Sequence, residues 1–361
     1  MLVKRTPNPT LKGHKLLVLS QLAPSPEDLE RIHKEFPDLE VAVHEVLWSE
    51  TKVRDDFPED GWKDVTILLT GSALPTRKEA PKLQYVQLMS AGANHILQNP
   101  LFTDTDITFC TANGVHGPQI SEWVITTFLA FQHHIPKYLS LQSEGKWVRG
   151  TEPVEDAVSK RVGILGYGSI GRQVARVATA MGMDVHAYTL HARSTPESRR
   201  DDSYTPPGLG DPEGVFPSKW FSGGSTEDLH EFLGSGLDLL VVSLPLTPKT
   251  TGLISTPEFK VLSKKKTYVS NIARGPIIDT ADLIDALDTG LIRGAALDVT
   301  DPEPLPEGHP LWKAKNAIIT PHVSGASTSY ATRVFAILEY NLKRLSKGKE
   351  LTNRVSRKEG Y

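Results

Sequence analysis

The chain has 361 residues, of which 39% are hydrophobic and 23% charged, and its formal net charge is −3. This balance is typical of a globular protein of roughly two domains, and the small negative charge argues against broad electrostatic binding of nucleic acid or of an anionic membrane. Cys110 is the single cysteine, which excludes an internal disulfide and a multi-cysteine metal site. We predict no metal, nucleic-acid or membrane partner, and the lack of a secretory signal in residues 1–7 favours the cytoplasm.

In the N-terminal third, short apolar runs alternate with helical patterns. Strands are predicted at residues 15–20, 41–47 and 65–69, and a helix is predicted at residues 26–36. Buried apolar strands that alternate with helices indicate a parallel sheet with helical crossovers.

A long helix is predicted at residues 118–138, where Pro118 suits the first turn and apolar residues recur at helical spacing. Pro136 should kink or end this helix, because proline cannot donate a backbone hydrogen bond. The polar segment 143–160 follows, and we interpret it as a domain junction.

After residue 160 a second series of strands begins, with helical patterns between most of them, which is typical of a doubly wound sheet. Residues 196–225 break this rhythm because proline and glycine are frequent there, and we expect a long loop or excursion. The predicted strands of this part cover residues 162–165, 184–189, 237–242, 267–271, 294–298 and 317–319, and a final helix covers residues 327–345.

The strongest local signal is an apolar strand that runs into Gly-x-Gly-x-x-Gly and then into a helix. The first glycine permits a tight turn, the second lets a pyrophosphate approach the backbone, and the third lets helix and strand pack closely. Free N–H groups at the helix start would face the phosphates. Since strand and helix flank the motif as required, we predict a dinucleotide site rather than a glycine turn without ligand. Its predicted cofactor-binding residues are Gly166, Tyr167, Gly168, Ser169, Ile170 and Gly171.

The end of the next strand indicates which dinucleotide is bound. An acidic residue there would bind the adenine ribose hydroxyls of NAD(H), but residues 188–190 read Tyr-Thr-Leu. Thr189 is followed by Arg193 and Ser194, which could hold a 2′-phosphate through charge and hydrogen bonds. Alternatively, Arg193 is a solvated loop arginine. We therefore favour NADP(H) as cofactor, with NAD(H) possible.

Three downstream segments carry the candidate catalytic residues. Arg274, Asp298 and His322 lie at or just beyond predicted strand ends, and Glu303 lies in the loop after Asp298. In an open α/β sheet the carboxyl ends of the strands face the ligand, so these four side chains could converge on one site. Taken singly, each also has an ordinary interpretation as a surface ion-pair residue, a loop histidine, an exposed glutamate or a capping aspartate.

At these residues the chain resembles the D-isomer-specific 2-hydroxyacid dehydrogenase family, which includes glyoxylate/hydroxypyruvate reductases. The resemblance covers most of the chain and includes the glycine loop, residues 243–254 and the segments 269–279, 296–306 and 319–326. It implies reversible, NAD(P)H-dependent reduction of small 2-keto acids to D-2-hydroxy acids by a homodimer. The particular keto acid is left open.

The resemblance also implies roles for single residues. Arg274 would bind the substrate carboxylate, His322 would be the general acid in reduction and the base in oxidation, and Glu303 would orient His322 and favour its protonated form. The substrate carboxylate would also meet the backbone amides of Ser90, Ala91 and Gly92. Further residues implied at the cofactor are Leu244, Pro245, Thr250, Ile272, Ala273 and, at the nicotinamide carboxamide, Asp298.

The predicted fold is α/β, with two parallel-sheet domains. A Rossmann dinucleotide-binding domain at residues 140–320 would be inserted in a flavodoxin-like substrate domain formed by residues 1–139 and 321–361. The alternative function is that of a dinucleotide-sensing binding protein without enzymatic activity, as in the corepressor branch that shares this fold. The full set of candidate catalytic residues favours the enzyme.

Overall fold

The computed structural model describes residues 6–21, 23–47 and 50–358, so the prediction on residues 1–7 falls mostly outside the described residues. The chain divides into two compact units, Met1–Val115 with Ser327–Tyr361, and His116–Ala326. Within the described ranges, no helix is both long and apolar enough to span a membrane.

The strands are β1 (Lys15–Leu19), β2 (Glu40–His44), β3 (Ile67–Thr70), β4 (Tyr85–Leu88), β5 (Thr108–Cys110), β6 (Arg161–Leu165), β7 (Asp184–Thr189), β8 (Lys219–Ser222), β9 (Leu239–Val242), β10 (Tyr268–Asn271), β11 (Gly294–Leu297) and β12 (Ala317–Ile319). The α-helices are α1 (Pro26–Glu35), α2 (Pro100–Thr103), α3 (Gly117–Gln132), α4 (Ile135–Ser143), α5 (Ser169–Ala180), α6 (Pro196–Arg199), α7 (Thr226–Leu233), α8 (Thr256–Leu262), α9 (Thr280–Asp288) and α10 (Tyr330–Ser346).

The first unit is built on a parallel sheet in the order β2-β1-β3-β4-β5, which is the flavodoxin-like order. Strands β3 and β4 are buried at every position. Helix α1 begins where the sequence predicts it, because Ser25 and Asp28 form a capping box and Pro26 occupies the first turn. The sequence patterns missed β4 and β5, which are short; β4 also carries Gln87, a polar residue that is fully buried.

The second unit is built on a parallel sheet in the order β12-β11-β10-β9-β6-β7-β8. Strand β6 pairs with β7 on one side and with β9 on the other, so the strand order reverses beside β6. Doubly wound sheets bind ligands at such a reversal, outside the carboxyl ends of the strands. The two parallel sheets confirm the predicted α/β fold, and the second has Rossmann topology.

The helix predicted at residues 118–138 is two helices, α3 and α4. His134 has a left-handed backbone with a φ of 55° and separates them, while Pro136 lies in the first turn of α4, where its missing N–H is harmless. Helix α3 packs against α5. The chain passes between the two compact units at residues 115/116 and 326/327, whereas the predicted domains change at 139/140 and 320/321. The predicted domain boundaries stay a prediction. The functional assignment of the two domains stays a prediction.

The excursion predicted at residues 196–225 contains regular structure, which corrects the prediction of a long loop. It begins with α6 and ends with β8, which pairs in parallel with β7 from His186↔Lys219 to Thr189↔Ser222. Phe221 of β8 is 6% exposed and belongs to the apolar core. The strand has only four residues, and the glycine and proline on both sides of it hid its pattern.

Candidate active site

The glycine loop connects β6 to α5. Gly166 has a φ of +102°, and a Cβ atom on it would lie 2.7 Å from the carbonyl oxygen of Ser243. A Cβ atom on Gly171 would lie 2.5 Å from the carbonyl oxygen of Gly166, whereas one on Gly168 would meet open space. The three glycines therefore provide the turn, the close helix packing and the open approach that a dinucleotide pyrophosphate requires.

Helix α5 starts directly at this open side. Gly168 is its N-cap and offers no side chain to cap the helix. Because the first N–H groups of a helix have no intrahelical acceptor, those near Ser169 and Ile170 suit an anion. The residues present thus fit the pyrophosphate of a dinucleotide.

Tyr167 differs from its neighbours in this loop, because its side chain points into the interior of the second unit. The Tyr167 hydroxyl donates a hydrogen bond to Asp211 Oδ2 at 2.7 Å, and its ring meets that of Trp220 edge-on. Burial, reinforced by the negative charge of Asp211, raises the pKa of Tyr167 well above its ordinary value. Its predicted contact with the cofactor would involve the backbone.

The carboxyl end of β7 carries no acidic residue. Thr189 ends the strand, and its hydroxyl donates to the carbonyl oxygen of His191 at 2.8 Å. Arg193 Nη1 donates to the carbonyl oxygen of Ser198 at 2.5 Å, which leaves the other guanidinium donors of Arg193 for an anion. Ser194 is exposed beside it.

The loop after β9 lies against the glycine loop. The Ser243 hydroxyl donates to the carbonyl oxygen of Gly166 at 2.6 Å. The Thr250 hydroxyl donates to the carbonyl oxygen of Pro245 at 2.7 Å and so closes the turn. Leu244 lies near Gly166. Of the residues predicted at the cofactor, Leu244, Pro245 and Thr250 therefore share one short loop at the glycine motif.

Arg274 follows β10 in a tightly held turn. Asn271 Nδ2 donates to the carbonyl oxygen of Arg274 at 3.1 Å, and Asn271 Oδ1 accepts from the N–H of Ala273 at 3.1 Å. A Cβ atom on Gly275 would lie 1.9 Å from the carbonyl oxygen of Thr300, so only glycine lets this turn meet the loop after β11. Ile272 and Ala273, also predicted at the cofactor, are buried within the turn.

The charge of Arg274 is largely shielded from solvent. Burial lowers the pKa of Arg274, and the negative charge of Glu303 acts in the opposite direction. Because arginine still remains protonated, the turn presents a cationic fork in a poorly hydrated setting, where a carboxylate is bound more strongly than in water.

His322 and Glu303 form a pair beyond the ends of β12 and β11. His322 Nδ1 and Glu303 Oε1 lie 2.7 Å apart. A carboxylate can only accept, so the imidazole carries its proton on Nδ1 and its Nε2 faces away from the pair. The His322 side chain is 48% exposed, which leaves Nε2 accessible to a small molecule.

Asp298 holds the turn that carries His322. Its carboxylate accepts hydrogen bonds from the Thr320 hydroxyl (2.6 Å), the Val323 N–H (2.9 Å), the Ser324 N–H (2.9 Å) and the Ser324 hydroxyl. These donors use the roughly four acceptor positions of a carboxylate. Since His322 has a φ of 55°, a strained value for a side chain, the turn needs such support. The predicted contact of Asp298 with a nicotinamide carboxamide stays a prediction, and it competes with these bonds.

The predicted substrate loop lies in the first unit, after β4. The Ser90 hydroxyl donates to the carbonyl oxygen of Gly92 at 2.7 Å, and the Ala112 N–H donates to that of Ser90 at 2.8 Å. In the described part of the chain, the N–H groups of Ser90, Ala91 and Gly92 have no acceptor. The loop thus offers a row of backbone donors.

Comparison with known proteins identifies the family of the chain. Residues 125–206 and 218–324, more than half of the chain, match the NAD binding domain of the D-isomer specific 2-hydroxyacid dehydrogenases. The chain belongs to this family.

Relatives within the family cover almost the whole chain. A hydroxypyruvate reductase of Blautia hydrogenotrophica is 27% identical over 92% of the chain and 97% of its own length, and a glyoxylate/hydroxypyruvate reductase A of Salmonella paratyphi B is 29% identical over 90% and 94%. The structure of an NADPH-dependent glyoxylate/hydroxypyruvate reductase from Sinorhizobium meliloti, in complex with NADP and sulfate, is 26% identical, with a TM-score of 0.70 over 96% of this chain and all of that chain.

The family resemblance did not reveal the residues that support this candidate site. Asn271 and Gly275 hold the Arg274 turn, and Thr320 and Ser324 hold the His322 turn through Asp298. A weak signal existed, because a buried strand end followed by serine, threonine or asparagine often makes side-chain-to-backbone hydrogen bonds. Only the fold shows which partner each of them finds.

Proposed function

We propose that the protein reduces 2-keto acids to D-2-hydroxy acids with NAD(P)H, and that it catalyses the reverse oxidation. The observation that carries the proposal is the 2.7 Å contact between Glu303 and His322, in the same unit as the Arg274 turn and the glycine loop. A general acid, a carboxylate-binding cation and a dinucleotide loop are the parts that this chemistry needs.

His322 is the proton donor in this proposal. Glu303 keeps the Nδ1 proton in place and offsets the positive charge of the imidazolium, while Nε2 gives its proton to the keto oxygen. In the oxidation direction, Nε2 takes the proton of the substrate hydroxyl. Asp298 acts as a positioning residue, because it holds the backbone of His322.

Arg274 binds the substrate carboxylate with its planar pair of donors, and its buried setting strengthens that ion pair. We propose that the N–H groups of Ser90, Ala91 and Gly92 also bind this carboxylate. The relatives named for glyoxylate and hydroxypyruvate favour a short keto acid as substrate. The homodimer stays a prediction from the family resemblance, and the cytoplasmic location stays a prediction from the sequence.

The bound cofactor supplies a hydride to the keto carbon. The glycine loop, Leu244, Pro245, Thr250, Ile272 and Ala273 are the residues that would hold it. We favour NADP(H), because β7 ends without a carboxylate and is followed by Arg193 and Ser194. The Sinorhizobium meliloti structure, which is described with NADP, supports this preference.

The test is a panel of keto acids, including glyoxylate, hydroxypyruvate, oxaloacetate and phenylpyruvate, each with NADPH and with NADH. We expect turnover of at least one short keto acid, and a D-configured product where the product is chiral. Folded protein that binds NADPH but reduces none of them would refute the enzymatic proposal. It would favour the dinucleotide-sensing alternative.

Arg193→Ala tests the cofactor preference. We expect the variant to lose about tenfold or more in kcat/KM for NADPH, since one charge-assisted hydrogen bond contributes about 1.5–3 kcal/mol, and little for NADH. Arg149→Ala is the control, because Arg149 is an exposed arginine of the same unit that lies outside residues 193–217. Equal losses with both cofactors would contradict the assignment of Arg193 to the 2′-phosphate.

A further inference from the structure

The match to the family's domain is interrupted at residues 207–217, which we call the insert. Although glycine and proline are frequent in it, the insert is folded around one carboxylate. Asp211 is 2% exposed, and its side chain accepts hydrogen bonds from the N–H groups of Val215 (2.9 Å) and Phe216 (3.2 Å). These bonds close the insert into a compact turn.

Three side chains of α5 hold the backbone of the insert. Arg176 Nε donates to the carbonyl oxygen of Gly210 at 2.7 Å, and Gln173 Oε1 accepts from the N–H of Gly210 at 2.6 Å. The Arg172 guanidinium donates to the carbonyl oxygen of Asp211. Because α5 begins at the glycine loop, the insert is anchored on the helix that would bind the pyrophosphate.

A second connection reaches the glycine loop itself. The Tyr167 hydroxyl donates to Asp211 Oδ2 at 2.7 Å, and Tyr167 lies between the first two glycines of the motif. Burial raises the pKa of Tyr167, so its phenol stays a hydrogen-bond donor toward Asp211. The insert therefore contacts both the loop and the helix of the dinucleotide motif.

The same arginine that holds the insert also holds the segment after β7. Arg172 Nη2 donates to the carbonyl oxygen of Arg199 at 2.7 Å, and Arg172 Nε lies 3.3 Å from Asp201 Oδ2. Arg199 Nε donates in turn to the carbonyl oxygen of Arg193 at 3.0 Å. A continuous series of hydrogen bonds thus runs from the insert to the backbone of Arg193.

We propose that the insert is a clamp that sets the preference between NADPH and NADH. Through Arg172, the insert holds residues 193–201 beside α5. Arg193 and its neighbours then keep the position that a 2′-phosphate requires. The inference rests on the NADP(H) preference of the proposed function. Since the 2′-phosphate is the group by which NADPH differs from NADH, a loosened clamp is expected to weaken binding of the 2′-phosphorylated nucleotide.

The test measures binding of 2′,5′-ADP and of 5′-AMP to the full chain by calorimetry, in the wild type, Asp211→Asn and Arg176→Met. Asp211→Asn removes an acceptor of the clamp, and Arg176→Met removes a single donor while keeping the aliphatic stem, so it covers the case in which the first variant does not fold. We expect the Kd for 2′,5′-ADP to rise at least about fivefold in both variants, as the loss of one supporting hydrogen bond predicts, with the Kd for 5′-AMP unchanged. Val215→Ala is the control, because Val215 lies in the insert with its side chain exposed.

Two results would overturn the inference while leaving the NADP(H) preference standing. In the first, the wild type binds 2′,5′-ADP more tightly than 5′-AMP, and Asp211→Asn and Arg176→Met keep the same ratio of the two Kd values. The other is an equal loss in Val215→Ala, which would show general loosening rather than a clamp. A wild type that does not distinguish the two nucleotides would instead refute the proposed NADP(H) preference, and the clamp's role with it.

Discussion

The Glu303–His322 pair determines which nitrogen of the imidazole faces solvent. With the Nδ1 proton directed at Glu303, Nε2 alone is placed to exchange a proton with a substrate. In the proposed reaction the pair would act as one unit, so its two members should not contribute independently to the rate.

His322→Ala and Glu303→Gln test this coupling. We expect each to lower kcat for keto-acid reduction by about 10²–10⁴, the range of general acid–base catalysis, with the Kd for NADPH unchanged. The double variant should be no slower than His322→Ala alone, because Glu303 has no role without the imidazole. Losses that add fully in the double variant would contradict a shared role.

Asp298 has two candidate roles, which substitutions can distinguish. It could bind the cofactor, or it could support the turn that carries His322. Thr320→Val and Ser324→Ala each remove one hydroxyl donor to its carboxylate. If Asp298 positions His322, each variant should lower kcat about fivefold, in line with about 1 kcal/mol per hydrogen bond, and leave the Kd for NADPH unchanged. Ser263→Ala, at an exposed helix end, is the control. A changed Kd with an unchanged kcat would favour the nicotinamide contact instead.

At the scale of elements, the site is made by strand ends and the turns that follow them. Strands β10 and β11 are neighbours in parallel register, so their carboxyl ends bring the Arg274 turn and the loop after Asp298 side by side. The closest approach is at Gly275, where a Cβ atom would meet the carbonyl oxygen of Thr300 at 1.9 Å. The position of Arg274 thus depends on a glycine that has no chemistry of its own.

Gly275→Ala should separate these two turns. We expect a loss of about 1–3 kcal/mol in the free energy of unfolding, as for other overpacked sites, and a lower kcat/KM because Arg274 moves with the turn. Denaturant unfolding and steady-state kinetics measure the two effects. Gly224→Ala is the control for stability, since its Cβ atom would make only an ordinary contact at 3.6 Å. Wild-type stability in Gly275→Ala would contradict the close approach.

At the scale of the whole molecule, a buried histidine couples the stability of the fold to pH. His186 of β7 is 6% exposed and its ring contacts Phe221 in the core. Burial lowers the pKa of His186 to about 4, and the positive charge of Arg161 adds to this effect. In the unfolded chain the same group binds a proton near its ordinary value of about 6.5.

Because the unfolded chain binds this proton first, the contribution of neutral His186 to stability is complete above about pH 6.5 and is lost as the pH falls toward 4. The loss amounts to about 3 kcal/mol at most. We expect His186→Gln to be less sensitive to pH than the wild type over this range in denaturant unfolding. His33→Gln, at an exposed position, should keep the wild-type dependence. Identical pH dependence in His186→Gln and wild type would contradict the coupling.

The sequence by itself determined the fold class and the dinucleotide motif. Both depend on local patterns, namely buried apolar strands that alternate with helices, and a glycine motif between a strand and a helix. The same patterns could not detect β8, because a four-residue strand between glycines and prolines has too little periodicity. The strand-end rule grouped Arg274, Glu303 and His322 near one site, but their catalytic roles came only from the family resemblance, since no local pattern assigns them.

Only the tertiary structure decided how these residues are supported. The four donors around Asp298, the close approach of Gly275 to Thr300 and the anchoring of residues 207–217 on α5 all join segments that are far apart in the chain. The physical reason is that a serine, arginine or aspartate has many possible hydrogen-bond partners, and burial together with strand order selects one. Residues 207–217, which the sequence shows only as a Gly/Pro-rich interruption, are thus a folded segment that contacts the dinucleotide motif.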